Sequence, residues 1–360
     1  MPNRINIDFQ SFRESEDQTC WELPPWGHPA SLWALPLFVS SGDHAFPIGT
    51  AFFVGRAIRF VVTAAHNISE ALKHEQRLAH LLVQGSLPEN LDLKSINLWV
   101  LYQRINDAGP SGELAFWPLE SVDGAPPTDI VFGHPLFSEA YPTISLPLSF
   151  SLPRRGEKVW SIGYRDFQFP EEGIPLVDVR NGAFDWKCKY SHKFTVVEGE
   201  VDSVFINGFA KGYVDGPCFS ITAEIFHAQS GGPVITRDGV VLGVNSAGAS
   251  RYFGEPKSLI SLLYPLLLVD LRFGANMGIL RINGTRSVID LVAQGQIATD
   301  GSEADVAFWQ LPDGKMAVCP RVPDNGDHIY DSIAMFQQGL PATKASPGTF
   351  LVLRKIEAPE

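Results

Sequence analysis

The chain has 360 residues, 45% of them hydrophobic, with 32 Gly, 27 Pro and a formal net charge of -12. That length is enough for one large core or two moderate ones. The negative charge excludes nucleic acid and anionic membrane as main partners, because both select basic surfaces.

Gly and Pro recur every few residues, and the runs between them are rich in Val, Ile, Leu and Phe. This predicts many short strands and a mainly β chain. Residues 1–31 carry Trp21 and Trp26 but no basic start followed by an apolar run. They read as a loose lead-in without a secretory signal, so a cytoplasmic location is expected. From Leu32 the strand-like runs LWALPLFVSS, IGTAFFV and IRFVVTAAH follow one another, with a hairpin around Gly55-Arg56. Asn67 and Glu70 have the spacing of a capping pair and predict a helix over the residues that follow, 68–82. Residues 83–128 mix strands (INLWVLY, ELAFWPL) with turn clusters, and another strand run begins at Asp129. Residues 166–193 are polar and aromatic without period, which predicts long surface loops.

Strands resume with FTVVEGEVDSVF, CFSITAEI, PVIT and VVLGVNS, the last two joined by the turn Arg237-Asp238-Gly239. The apolar run Leu259 to Val269 is too short to span a bilayer and contains Pro265, so a buried helix or two strand pieces is expected. After residue 275, SVIDLVAQGQI has helical spacing, and DVAFWQL and MAVCPRV flank a Pro-Asp-Gly turn at 312–314. Residues 276–360 therefore read as a small α+β extension, regulatory, partner-binding or structural. Cys20, Cys188, Cys218 and Cys319 are scattered without a CxxC spacing, so neither a disulfide framework nor a metal site is expected.

Two segments carry chemistry. In Ala228-Gln229-Ser230-Gly231-Gly232-Pro233-Val234, glycines after a serine permit a sharp turn and a close substrate approach. The same residues also describe an ordinary hairpin turn. In Val61-Val62-Thr63-Ala64-Ala65-His66, a strand ends in small residues and delivers a histidine, the side chain that takes and returns a proton near neutral pH.

Taken together and in that order, VVTAAH and SGGPV resemble the trypsin-like (chymotrypsin-fold) serine peptidases of the bacterial, disulfide-free type. Gly49 to Val54 (GTAFFV) and the segment Gly156 to Tyr164 are similar to linking strands of that family, and the resemblance covers about residues 32–255. It implies a chymotrypsin-like double β-barrel over 32–275, with barrel one at about 32–145 and barrel two at about 146–275. It implies a catalytic His66, Asp129 and Ser230. Thr128-Asp129-Ile130-Val131 fits the family's Asp pattern, whereas Asp107 and Asp123 sit in turn-like sequence. The resemblance further implies an oxyanion hole from the backbone N–H groups of Ala228 and Ser230. It places substrate contacts at Ser246, Ala247 and Gly248 and a pocket floor at Glu224; on a bare strand Glu224 would simply face solvent.

Two departures stand out. Ala228 replaces the family's glycine, and Gln229 replaces the Asp or Asn usual before the serine, which argues against activation by a freed N-terminus. The expected activity is hydrolysis of a protein or peptide substrate with no cofactor. A catalytically silent peptide-binding module with the same fold is the alternative. An α/β-hydrolase is disfavoured, because its nucleophile sits in GxSxG and its histidine comes last.

Overall fold

The apolar runs of the first half become six strands: β1 (Ala34–Ser41), β2 (His44–Val54), β3 (Phe60–Thr63), β4 (Asn97–Ile105), β5 (Gly112–Gly124) and β6 (Val131–Pro135). The computed structural model describes residues 19–24, 28–56, 58–74, 90–92, 97–105, 112–124, 128–135, 144–210, 213–273, 284–310, 315–322, 324, 326–330 and 351–355. All six strands pair antiparallel in the cyclic order β2-β1-β4-β5-β6-β3, and the β3–β2 pairing closes the ring. A second closed barrel follows, built from β7 (Lys158–Gln168), β8 (Ser191–Phe205), β9 (Cys218–Ile221), β10 (Pro233–Ile235), β11 (Val241–Gly248) and β12 (Ser258–Leu262). Its cyclic order is β7-β8-β9-β12-β11-β10. Closure removes the exposed strand edges that an open sheet would present. The molecule is a chymotrypsin-like double β-barrel, as the motifs imply.

The unbroken apolar runs have a physical reason. Successive side chains of a strand point to opposite faces, and here both faces are buried. Along β2 and β3, Ala51, Phe53 and Val61 fill barrel one, while Phe52, Val54, Phe60 and Val62 point outward into a second core. That second core continues through Phe132 and Phe150 into Ile162, Tyr164 and Phe194 of barrel two. The Tyr164 hydroxyl donates to the Ala34 carbonyl oxygen at 3.0 Å across the seam. Complete burial pushes its pKa far above the ordinary tyrosine value, so it remains a donor.

Several local expectations change. The 166–193 segment is not a set of surface loops. β7 runs on to Gln168, and short helices form at Leu176–Arg180 and Trp186–Lys189. Leu176, Phe184 and Tyr190 bury against Phe38 and Leu101 on the outside of barrel one. The aromatics that concealed any period are what anchor the segment. In the lead-in, Cys20–Leu23 is a strand paired with β8, and Trp21 is buried. The run at 259–269 divides into β12 and a 3-10 helix at Tyr264–Leu268, with Pro265 in its first turn. The helix after His66 is α1 (Ala65–His74), which starts before Asn67, and residues 75–82 lie outside the described ones. The turn at 312–314 also lies outside them.

Beyond residue 275 the helix Val288–Ala293 and the three-stranded sheet of Val306–Gln310, Lys315–Pro320 and Leu351–Lys355 bear out the α+β reading. Val288, Leu291, Ile297, Val306 and Val318 belong to the same buried cluster as the barrels. Ile329–Tyr330 pairs parallel with Val204 and Phe205 of β8. This part of the extension is thus packed into the same core as the barrels. Leu291→Ala is therefore expected to cost about 2–5 kcal/mol. In denaturant it should shift one transition shared with the barrels, whereas an unchanged barrel transition would make the extension a separate unit. No helix among the described residues is long and apolar enough to cross a membrane.

Candidate active site

Strand pairing brings His66 and Asp129 together. In the β3–β6 register Thr63 lies opposite Val131, so the chain leaving β3 passes the chain entering β6. Ala65 N–H donates to the Asp129 carbonyl oxygen at 3.2 Å. The Asp129 carboxylate then holds His66 at two points. Oδ1 accepts the His66 backbone N–H at 2.9 Å, and Oδ2 faces the ring Nδ1 at 2.8 Å. With Nδ1 engaged as donor, Nε2 keeps its lone pair for a proton. The Asp129 side chain is 18% exposed and the His66 ring 40%, so the acid is covered while the ring stays reachable. The Ser246 hydroxyl also donates to Asp129 Oδ2.

Asp123 does not cap a turn. It is buried in β5 with Oδ2 at 3.3 Å from His134 Nε2 on β6, a separate pair on the outward face of barrel one, where His134 packs edge-on against Phe60. Asp107 lies outside the described residues.

Ser230 follows a tight turn in which Gln229 N–H donates to the Phe226 carbonyl oxygen at 3.1 Å. Ala228, the third residue of that turn, has φ = +71°, the left-handed region that favours glycine. The Ser230 carbonyl oxygen accepts Thr50 N–H and Asn67 Nδ2, each at 2.9 Å. Asn67 also donates to Thr63 Oγ1 at 3.0 Å. Asn67 thus ties the Ser230 loop to the His66 helix instead of capping that helix. A methyl group at Gly231 would lie 2.2 Å from the Thr50 carbonyl oxygen, and one at Gly232 would lie 2.0 Å from the Ile162 carbonyl oxygen. The two glycines admit the protein's own backbone, where the sequence reading assigned the space to substrate. Ser230 Oγ donates to the Ser246 carbonyl oxygen at 3.4 Å, a long bond. Among the described residues it makes no hydrogen bond to the His66 ring.

Among the described residues no acceptor takes the N–H of Ala228 or of Ser230. Both amides of the expected oxyanion hole are thus without a protein acceptor among the described residues. Left-handed alanine costs about 1–2 kcal/mol, and glycine gives back roughly 0.4–1 kcal/mol through the unfolded chain. Ala228→Gly is thus expected to stabilise the fold by about 0.5 kcal/mol or more, read from the midpoint of urea unfolding.

Of the substrate-contact residues, Ser246 is engaged with Asp129, while Ala247 and the exposed Gly248 end β11. The Gly248 carbonyl oxygen accepts the Tyr213 hydroxyl. Glu224 is exposed and lies beyond the end of β9, so its side chain faces solvent and is not a buried pocket floor. No cluster of three His, Cys, Asp or Glu able to hold a metal occurs among the described residues.

The sequence model of the trypsin-like peptidase domain matches residues 49–244. The chain belongs to this family. Its match starts at Gly49 in β2 and ends in β11, so the trypsin-like peptidase domain includes His66, Asp129 and Ser230. No curated protein matches the chain. Among solved structures, the MamO protease domain from Magnetospirillum magneticum (apo form) is 16% identical, covering 66% of this chain and 94% of that one, with a TM-score of 0.39. The Rv3671c protease from M. tuberculosis in its active form is 16% identical, covering 76% and 96%, with a TM-score of 0.38. Deg5 is 15% identical, covering 61% and 81%, with a TM-score of 0.38.

Sequence reasoning missed the task of Ser246 on Asp129, and it missed Thr50, Asn67 and the Gln229 side chain as partners of the trypsin-like site. The available signal was polarity out of place: Thr50 interrupts an apolar strand, and Gln229 precedes the serine.

Proposed function

We propose that the chain is a serine endopeptidase acting through Ser230, His66 and Asp129. The observation that carries this reading is a closed circuit of contacts. Asp129 holds His66, Ser246 joins Asp129 to Ser230, and Asn67 joins Ser230 back to the segment bearing His66. A rotation about the Ser230 Cα–Cβ bond turns its hydroxyl from the Ser246 carbonyl toward the imidazole; unliganded sites often hold such bonds loosely. Ser230 Oγ then attacks a peptide carbonyl while His66 Nε2 takes its proton. The Ala228 and Ser230 amides receive the oxyanion, and His66 protonates the leaving amine. Water, deprotonated by His66, hydrolyses the acyl-enzyme. Glu224 faces solvent, so it does not supply a buried carboxylate that would select Lys or Arg before the scissile bond.

One observation favours a second reading, a peptide-binding module without turnover: Ser230 Oγ rests on a carbonyl and not on the imidazole. Incubation with an unfolded protein such as reduced casein separates the two. The peptidase reading expects fragments from the native chain and none from Ser230→Ala. Peptide binding with no cleavage by either form would support the module.

A further inference from the structure

The turn before Ser230 holds a conformation that its own residue opposes. Alanine prefers negative φ, yet Ala228 sits at +71°. Such a state persists only where the surroundings over-determine it, and the surroundings here can be named. Gln229, fully buried, closes the turn twice. Its backbone N–H donates to the Phe226 carbonyl oxygen at 3.1 Å, and its side-chain Oε1 accepts the Phe226 N–H at 2.8 Å. Its Nε2 reaches the Thr195 carbonyl oxygen on β8 at 3.4 Å, and its own carbonyl oxygen accepts Gly232 N–H at 2.9 Å and Asn245 Nδ2 at 3.2 Å. From the other barrel, Thr50 Oγ1 donates to the Ala228 carbonyl oxygen at 2.9 Å while accepting Tyr164 N–H at 2.9 Å. Both polar groups of Phe226 and the carbonyls of Ala228 and Gln229 are thus tied, and the amides left open are those of Ala228 and Ser230.

We infer that Gln229 and Thr50 are positioning residues that hold Ala228 left-handed, so that the Ala228 and Ser230 amides stay preset toward one oxyanion before substrate arrives. Returning Ala228 to negative φ reorients the peptides on either side of it and breaks the Thr50 contact. The two side chains act on the reaction only through this turn. The kinetic part of the inference rests on the peptidase reading; the conformational part does not.

The test uses Thr50→Val, which keeps shape and loses the hydroxyl, Gln229→Met, which keeps length and loses both amide atoms, and Thr50→Ser as the conservative rescue. Crystal structures of the full chain give the Ala228 φ, and hydrolysis of one peptide ester gives kcat and KM. Thr50→Val and Gln229→Met are expected to release Ala228 to negative φ and to lower kcat by about 100-fold, the lower end of the range for loss of an oxyanion donor. KM should change less than about threefold, because the missing contact belongs to the transition state. Thr50→Ser should keep both properties of the native chain. Should Gln229→Met fail to fold, Thr50→Val still decides. Positive φ at Ala228 in the variants, or relaxed turns with native kcat, would overturn the inference. A native chain that never hydrolyses the ester, while φ changes sign in the variants, would instead remove the peptidase reading and leave the preset turn standing.

Discussion

Gly231→Ala is expected to destabilise the protein by about 4 kcal/mol or more, in the upper tail of single substitutions. Gly231 has φ = +86°, and an added Cβ would lie 2.2 Å from both the Thr50 carbonyl oxygen and Thr63 Oγ1. None of these groups can retreat cheaply. Thr50 N–H is bonded to the Ser230 carbonyl oxygen, Gly231 N–H to the Asn245 carbonyl oxygen, and Thr63 Oγ1 to the Thr50 carbonyl oxygen at 2.7 Å. The methyl must therefore part the two barrels where Ser230 is held. A melting temperature lower by roughly 10 °C, together with lost hydrolysis, is the expected reading. Gly248→Ala is the control, since nothing lies within 4 Å of its added Cβ and its φ is not left-handed. Its stability should change by less than about 0.5 kcal/mol. Equal effects at the two glycines would mean that crowding at the barrel seam is not what fixes the nucleophile loop.

The largest kinetic effects are expected at the circuit itself. Ser230→Ala and His66→Ala should each lower kcat by about a million-fold, and the double variant no further, because the two residues act as a unit. Asp129→Asn should lower it by roughly ten-thousand-fold, since the amide presents a donor to Nδ1 and so favours the wrong tautomer. Ser246→Ala removes one hydrogen bond from a charged group that keeps two others, and about a ten-fold loss is expected. Asp123→Asn separates the rival aspartate: it should disturb stability through His134 and leave the kcat of folded protein near the native value. A loss at Asp123 as large as that at Asp129 would reassign the acid.

What was legible in the sequence was local. Strand-forming runs reported their burial, and VVTAAH and SGGPV pointed to the family because each sets one polar side chain by a turn or strand end only a few residues long. The contacts that arm the site join residues far apart, such as Thr50 with Ala228 and Asn67 with Ser230. Nothing in local spacing announces them. Asn67 shows how such spacing misleads: three residues ahead of Glu70 it has the form of a capping residue, yet its amide is drawn across the seam to the Ser230 carbonyl oxygen. The 166–193 segment was opaque for a related reason, because its aromatics bury against the outside of another barrel rather than along a face of their own element. The doubt raised by Ala228 in place of glycine resolves into a specific backbone state, left-handed and tied on both sides.

The most direct measurement is the mass of the native chain after exposure to a fluorophosphonate, with the modified peptide sequenced. The account predicts one phosphonyl group, on Ser230, with the rate of addition falling as His66 becomes protonated, and no addition to Ser230→Ala or His66→Ala. A native chain that stays unmodified across the pH range where His66 is neutral, or that carries the group on another residue, would contradict the assignment of Ser230 as the nucleophile.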